Sequence, residues 1–262
     1  MAYTNIDDPS AYFQTVLWTG NTSAPRSITN DGNSNLQPDL VWGKNRTTAG
    51  TDHEVYDSNR GTGTSYNLKT NSTAVEGIGT TYGQLTSFDT DGFTVNAGGT
   101  NDDFWNENGS EFVAWQWKAN GGTTSSNTDG TGITSTVQAN QDAGFSIVTY
   151  TGIGSGNANP SVGHGLGVTP QVVLVKSRSQ AISWIMYHYG IDGANSRNKY
   201  LLLDTNGAAG TLGSYWGTSG SGGVTSSTFG VYADNQSGKT FIYIAFAENP
   251  FVTSTGIPTT AR

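Results

Sequence analysis

The sequence predicts an all-β protein built as two tandem antiparallel β-sandwiches, and three observations carry that reading. Glycine (36 residues) and aromatics (7 Trp, 12 Tyr, 10 Phe) are abundant while only 12% of residues are charged. A set of short motifs recurs along the chain at a nearly constant offset. Helical periodicity is close to absent, and the apolar stretches are short and bounded by turn residues. So low a charge content excludes coiled coils and helical bundles, and so many aromatic rings exclude a solvated, disordered chain.

The repeat sets the domain plan. FQTVLWTG at 13–20 matches FSIVTYTG at 145–152, and PDLVWGKNR at 38–46 matches PQVVLVKSR at 170–178, both at an offset of 132. Tyr56 pairs with Tyr187, Tyr66 with Tyr200, GFTV at 92–95 with TFGV at 228–231, and FVAWQWKA at 112–119 with FIYIAFAE at 241–248. The order is kept and the offset drifts slightly, as expected of a duplicated unit with loop insertions and deletions. The plan is an arm at 1–12, one sandwich at 13–120, a linker at 121–141, a second sandwich at 142–250 and a tail at 251–262. The linker assignment rests on the absence of apolar periodicity in GGTTSSNTDGTGITSTVQANQ.

In the first unit strands are expected at 13–18, 38–44, 53–57, 64–69, 86–89, 92–96 and 111–118. In the second they are expected at 145–150, 170–177, 183–188, 199–204, 228–233 and 239–247. Asn30-Asp31-Gly32, Asp91-Gly92, Asp192-Gly193 and Asn206-Gly207 stand between them and supply the positive φ that tight turns need. In 111–118, Val113, Trp115 and Trp117 share one face. Phe241, Tyr243 and Ala245 alternate with Ile242, Ile244 and Phe246, so this strand is expected in the middle of a sheet covered on both faces.

The same residues carry a resemblance. DDPSAYFQTVLWTG, QPDLVWGK, YDSNRG, SFDTDGF and FVAWQWKA, then AGFSIVTYTG, VGHGLGVTPQVVLVKSR and FIYIAFAENPF, resemble repeat domains of marine and cyanobacterial bacteriophage structural proteins. The likeness runs from about Asp7 to about Phe251. It implies a jelly-roll or concanavalin A-like sandwich, a place in the virion, and contacts with other virion proteins and between copies of the chain, a trimer by analogy. Relatives often carry a Cys where this chain has Gln116, and they often string together more than two copies.

Charge and chemistry narrow the function further. A net charge of -8 offers no basic face for nucleic acid. Without cysteine there is no disulfide, thiol nucleophile or Cys-based zinc site. The amino terminus shows neither a basic n-region nor an apolar h-region, so no secretory signal is expected there. Apolar runs such as 241–247 are strand-sized, so membrane insertion is not expected.

No catalytic, cofactor or metal site is expected. His53, His164 and His188 have no zinc-binding spacing, and Glu54/Asp57 and Glu107/Glu111 lack the same-strand pairing of a glycosidase. The turns at 89–92 and 127–129 fall short of a calcium loop. Lys44/Arg46 and Lys176/Arg178, at equivalent strand ends, read as charges that guard an edge strand. Trp105, Tyr189, Tyr215 and Trp216 fall in loops or at strand ends and are the candidates for glycan or interface contact. Two functions follow: a non-enzymatic virion structural protein, as head decoration or tail and fibre accessory, or a carbohydrate-binding module recognising a host surface glycan from the phage tail.

Overall fold

The computed structural model describes residues 6, 8–77, 81–98, 104–154, 159–213, 215–217, 223–231 and 234–247. The protein is all-β, with eighteen strands and three short 3₁₀ turns among the described residues. The first half holds β1 (Phe13–Thr19), β2 (Arg26–Ile28), β3 (Leu40–Asn45), β4 (His53–Asp57), β5 (Leu68–Lys69), β6 (Gln84–Asp89), β7 (Gly92–Asn96) and β8 (Glu111–Trp117). The second begins with β9 (Ser125–Asn127), β10 (Ser135–Asn140), β11 (Phe145–Thr151), β12 (Ser161–Gly163) and β13 (Pro170–Ser177). It continues with β14 (Ile185–His188), β15 (Lys199–Leu202), β16 (Gly210–Thr211), β17 (Thr228–Gly230) and β18 (Thr240–Ala247).

Two large antiparallel sheets dominate. One runs β1-β8-β3-β4-β5 and the other β16-β15-β14-β13-β18-β11-β10-β9, with smaller sheets β2-β7-β6 and β12-β17 beside them. The first half visits β1, β8, β3, β4 and β5 in the same spatial order in which the second visits β11, β18, β13, β14 and β15. Equivalent turns meet equivalent obstacles: a Cβ on Gly20 would collide with the Glu107 carbonyl, and one on Gly152 with the Gln236 carbonyl.

Each half closes its own sandwich. Val16, Trp18, Val41, Tyr56, Phe112 and Ala114 of the five-stranded sheet meet Ile28, Leu85, Phe93 and Val95 of the small sheet. In the second half Val148, Tyr150, Val173, Tyr187, Phe241 and Tyr243 meet Val162 and Phe229. A third core lies between the two large sheets, on their opposite faces. Leu40, Val55, Leu68 and Ala119 of the first half pack there against Phe145, Ile147, Leu174, Trp184, Ile242 and Ile244 of the second. Trp117 stacks on Phe145 with ring centres 6.2 Å apart and meets Phe246 edge-on. The molecule is therefore a stack of four sheets with three apolar layers between them. As its two-faced pattern demands, β18 lies between β13 and β11, with Phe241, Tyr243 and Ala245 in one layer and Ile242 and Ile244 in the next.

Several expectations change. The segment 121–141 is not simply a connector: it supplies β9 and β10, which extend the large sheet past β11. Of β10, Ser135, Val137 and Gln138 are buried and Ala139 packs partly buried beside Val137, so a small and partly polar inward face leaves little apolar alternation to read. Backbone hydrogen bonds hold such a strand, and these leave no side-chain signature. The strand read at 64–69 shortens to β5, and β2, β12 and β16 are too short to be seen in the sequence. The Lys44 and Lys176 strands are interior, β3 between β8 and β4 and β13 between β18 and β14, so these charges guard no edge. Lys176 is fully buried and donates to the carbonyls of Thr73, Gln180 and Ile182. Of the arm, Asp8 is anchored by the Ser34 hydroxyl at 2.6 Å, and the Tyr12 carbonyl accepts from the Lys118 amide. Residues 1–5 and 7 and the whole tail 251–262 lie outside the described residues.

Polar contacts seal the joint between the halves. Glu76 accepts from Arg60 at 2.6 Å and from Arg178 at 2.9 Å, tying the first half to the second. The Trp184 indole donates to the Lys69 carbonyl at 2.8 Å, and Asn59 donates to the carbonyls of Thr136 and Ile147. Because the halves share a core, they are expected to melt together. Calorimetry on the whole chain should show one transition, and Trp184→Ala should lower stability by about 3–5 kcal/mol while keeping it single. Two separate transitions in the wild type would contradict a shared core.

Candidate functional site

The four aromatic candidates separate sharply. Trp105 and Trp216 are fully buried and Tyr215 nearly so, while Tyr189 alone stands out, at 47% exposure. The two indoles play matching parts in the two sandwiches. Trp105 packs edge-on against Tyr56 and Phe93, and Trp216 packs against Tyr187 and Phe229. Each closes its core from a connecting loop, and each indole N–H finds an acceptor within the protein. Trp105 donates to Glu54 Oε2 at 2.6 Å and Trp216 to the Lys199 carbonyl at 2.6 Å. Gly43 makes room for the first: a Cβ there would lie 2.5 Å from the Trp105 ring. Neither Trp is available to a ligand. Sequence position alone put them in loops, and only the fold shows that these loops turn inward.

The other titratable groups are held apart. Glu54 accepts from Trp105 and from Asn67, and burial lifts its carboxyl to about 7 against the pull of those bonds and of Lys69. Asp57 is ion-paired to buried Arg60, Glu107 accepts from Thr48 and Ser110, and Glu111 is exposed beside Arg46. Asp89 accepts from the Ser87 and Thr94 hydroxyls, and Asp91 from the Leu36 amide. His164 is buried; its Nδ1 accepts from the Leu166 amide, which leaves Nε2 to donate to the Thr225 carbonyl. His188 caps a 3₁₀ turn through the Gly190 amide. Among the described residues, no three histidines or carboxylates gather into one cluster.

Two clefts remain. The smaller, about 260 Å³, lies at Thr51, Asp52, Lys69, Tyr82 and Phe104. Its ammonium is already engaged: Lys69 Nζ sits 2.7 Å from Asp52 and 4.9 Å from the centre of the Phe104 ring. The larger, about 470 Å³, opens at the junction of the halves. Thr73 comes from the first half; Ile182, Ser183 and Ile185 lead into and begin β14; Tyr200 and Leu202 come from β15; Tyr215, Asp234 and Gln236 complete the wall. Tyr200 and Tyr215 stack at 4.7 Å, and the Tyr215 hydroxyl hydrogen-bonds the Asp234 carboxyl. Of the four sequence candidates, Tyr215 lines one of these two clefts and the other three line neither. Tyr200, Asp234 and Gln236 were missed because nothing in their spacing links them. The Tyr66/Tyr200 repeat pair was the one available hint.

Fold and cleft together define an all-β, layered sandwich protein with an aromatic, carboxyl-bearing cleft at the seam between its halves. Residues 8–234 match the family described as a domain of unknown function, DUF7483, and the chain belongs to that family. The match runs through both halves and ends before β18, which supplies Ile242 and Ile244 to the shared core. No curated protein and no solved structure matches the chain.

The cleft carboxyl has a measurable signature. Burial lifts Asp234 from 3.8 to about 7, against the Tyr215 hydrogen bond that lowers it. Between those values the folded chain holds more protons than the unfolded chain, so this group subtracts stability as pH rises from about 4 to about 7. Asp234→Asn removes the effect. Its stability relative to wild type should therefore grow between pH 4.5 and 7.5, by roughly 2–4 kcal/mol in urea titrations. A difference that stays constant with pH would contradict a raised carboxyl.

Proposed function

We propose that this protein is a non-enzymatic structural component of a bacteriophage particle, acting through contacts with other virion proteins and between copies of itself. The observation that carries the reading is the core shared by two sandwiches of like topology, which makes the chain a single thick body. Such a body presents broad surfaces rather than hinged domains, which suits a lattice or tail component. The common strand order, and the matching Tyr56–Trp105–Phe93 and Tyr187–Trp216–Phe229 clusters, support descent from a duplicated unit. The motif resemblance to phage repeat domains supports the virion setting. Head decoration and tail accessory are both compatible with this body.

Immunogold electron microscopy on particles of the encoding phage tests the reading. Label at a regular position on head or tail is the expected result; no label, together with no peptides of this chain in a digest of purified particles, would overturn it.

Self-association has its own support. β1 is the edge of the five-stranded sheet, and Phe13 and Leu17 project from it, 40% and 61% exposed. An edge with exposed apolar side chains is a template for pairing with another chain. Light scattering coupled to size exclusion should find an oligomer, a trimer by analogy, that Leu17→Lys shifts towards monomer without altering the melting temperature. A wild type that is monomeric at high concentration would remove self-association from the proposal.

A further inference from the structure

The cleft at the seam is not needed for a scaffold, and its chemistry points to a ligand. We propose that it binds a neutral pyranose, with the Asp234 carboxyl accepting a ring hydroxyl between the apolar wall of Ile182, Ile185 and Leu202 and the Tyr200–Tyr215 pair. This is independent of where the protein sits on a particle.

Three observations carry it. The first is a satisfaction problem. Asp234 is 3% exposed, one oxygen side is tied to the Tyr215 hydroxyl, and Oδ2 has no hydrogen-bond partner. A buried polar atom left unpaired is unfavourable, and among the unpaired atoms of the described residues Asp234 Oδ2 is the one that belongs to a residue of this cleft. Asp234 is also a residue of the cleft wall, so a ligand seated there lies against the side chain whose Oδ2 lacks a partner.

The second observation is charge. Among the described residues, no lysine or arginine lines the cleft. Lys176 stands behind it, donating to the carbonyls of Thr73 and Ile182, two residues of the wall. A phosphate, sulfate or carboxylate ligand would therefore meet a carboxyl with no cation beside it. Burial also holds Asp234 towards its neutral form, which suits a hydroxyl, able to donate and accept, better than an ammonium.

The third is shape and surface. A volume of about 470 Å³ falls in the usual range for small-molecule sites. Ile182, Ile185 and Leu202 offer an apolar surface, while Thr73, Ser183 and Asp234 place polar groups around it. A pyranose has this same division, with a face of C–H groups and a rim of hydroxyls.

The test uses the full chain and saturation-transfer NMR with D-glucose, D-galactose, D-mannose, L-rhamnose and N-acetyl-D-glucosamine, alongside propylamine and sodium sulfate as charged probes. At least one sugar is expected to bind with a millimolar Kd. Asp234→Asn and Tyr215→Phe should each weaken it tenfold or more, and Ala181→Trp, at an exposed position on the cleft wall, should block it without disturbing the fold. Circular dichroism and the melting temperature of each variant separate lost binding from lost structure. The proposal is overturned if no sugar of the panel binds, if only propylamine or sulfate binds, or if folded Asp234→Asn and Ala181→Trp both bind like the wild type.

Discussion

The apolar layer between the two large sheets is the constraint on which the rest of the structure depends. A sandwich of usual design leaves its outer faces to water, and its strands alternate apolar with polar. Here the central strands of both large sheets are covered twice, so Leu40 and Val41, or Tyr243 and Ile244, are neighbours in sequence yet lie in different cores. That accounts for an aromatic-rich chain with so few charges. It also explains why charged groups at the joint are matched within the protein, although the Trp42 indole N–H in the same layer has no partner. Glu76 between Arg60 and Arg178, and Lys176 among three carbonyls, lie where water has been displaced and each must find its partners within the protein.

Closing a short sandwich needs large plugs, and the chain uses loop indoles for both. Trp105 and Trp216 bury a large ring against an inward Tyr and a Phe, and each satisfies its single N–H. The partners differ. In the first half the acceptor is the Glu54 carboxylate, a costly group to bury, stabilised also by Asn67. In the second half the indole takes a backbone carbonyl, and the buried carboxyl, Asp234, lies instead on the wall of the seam cleft beside Tyr215. One half thus encloses its carboxyl within the core while the other turns it towards a cavity. This asymmetry is where two like halves acquire different chemical capacities.

Much of the fold was legible in the residues. The lack of α-helix among the described residues, the positions of β1, β3, β4, β7, β8, β11, β13 and β18, and the central place of β18 all follow from period-two alternation and turn chemistry. These signals are local, because a strand's two faces are written in consecutive residues. The joint was legible only in part: alternating apolar faces on β18 required a second cover, but nothing local said that the cover was the first half.

The candidate site was barely legible, for a related reason. A loop residue has no register, so the sequence cannot say whether Trp105 turns inward while Tyr189 turns out. The seam cleft gathers Thr73, Ile182, Tyr200, Tyr215 and Asp234 from five separate segments. Composition and periodicity by themselves determined an all-β sandwich protein of low charge, because burial of alternating faces is a property of short stretches. Only the tertiary structure decided that the two sandwiches share a core, that the two loop tryptophans Trp105 and Trp216 belong to the interior, and that a carboxyl held by Tyr215 lies on the wall of a cleft, because each of these depends on segments far apart in the chain meeting across a layer from which water is excluded.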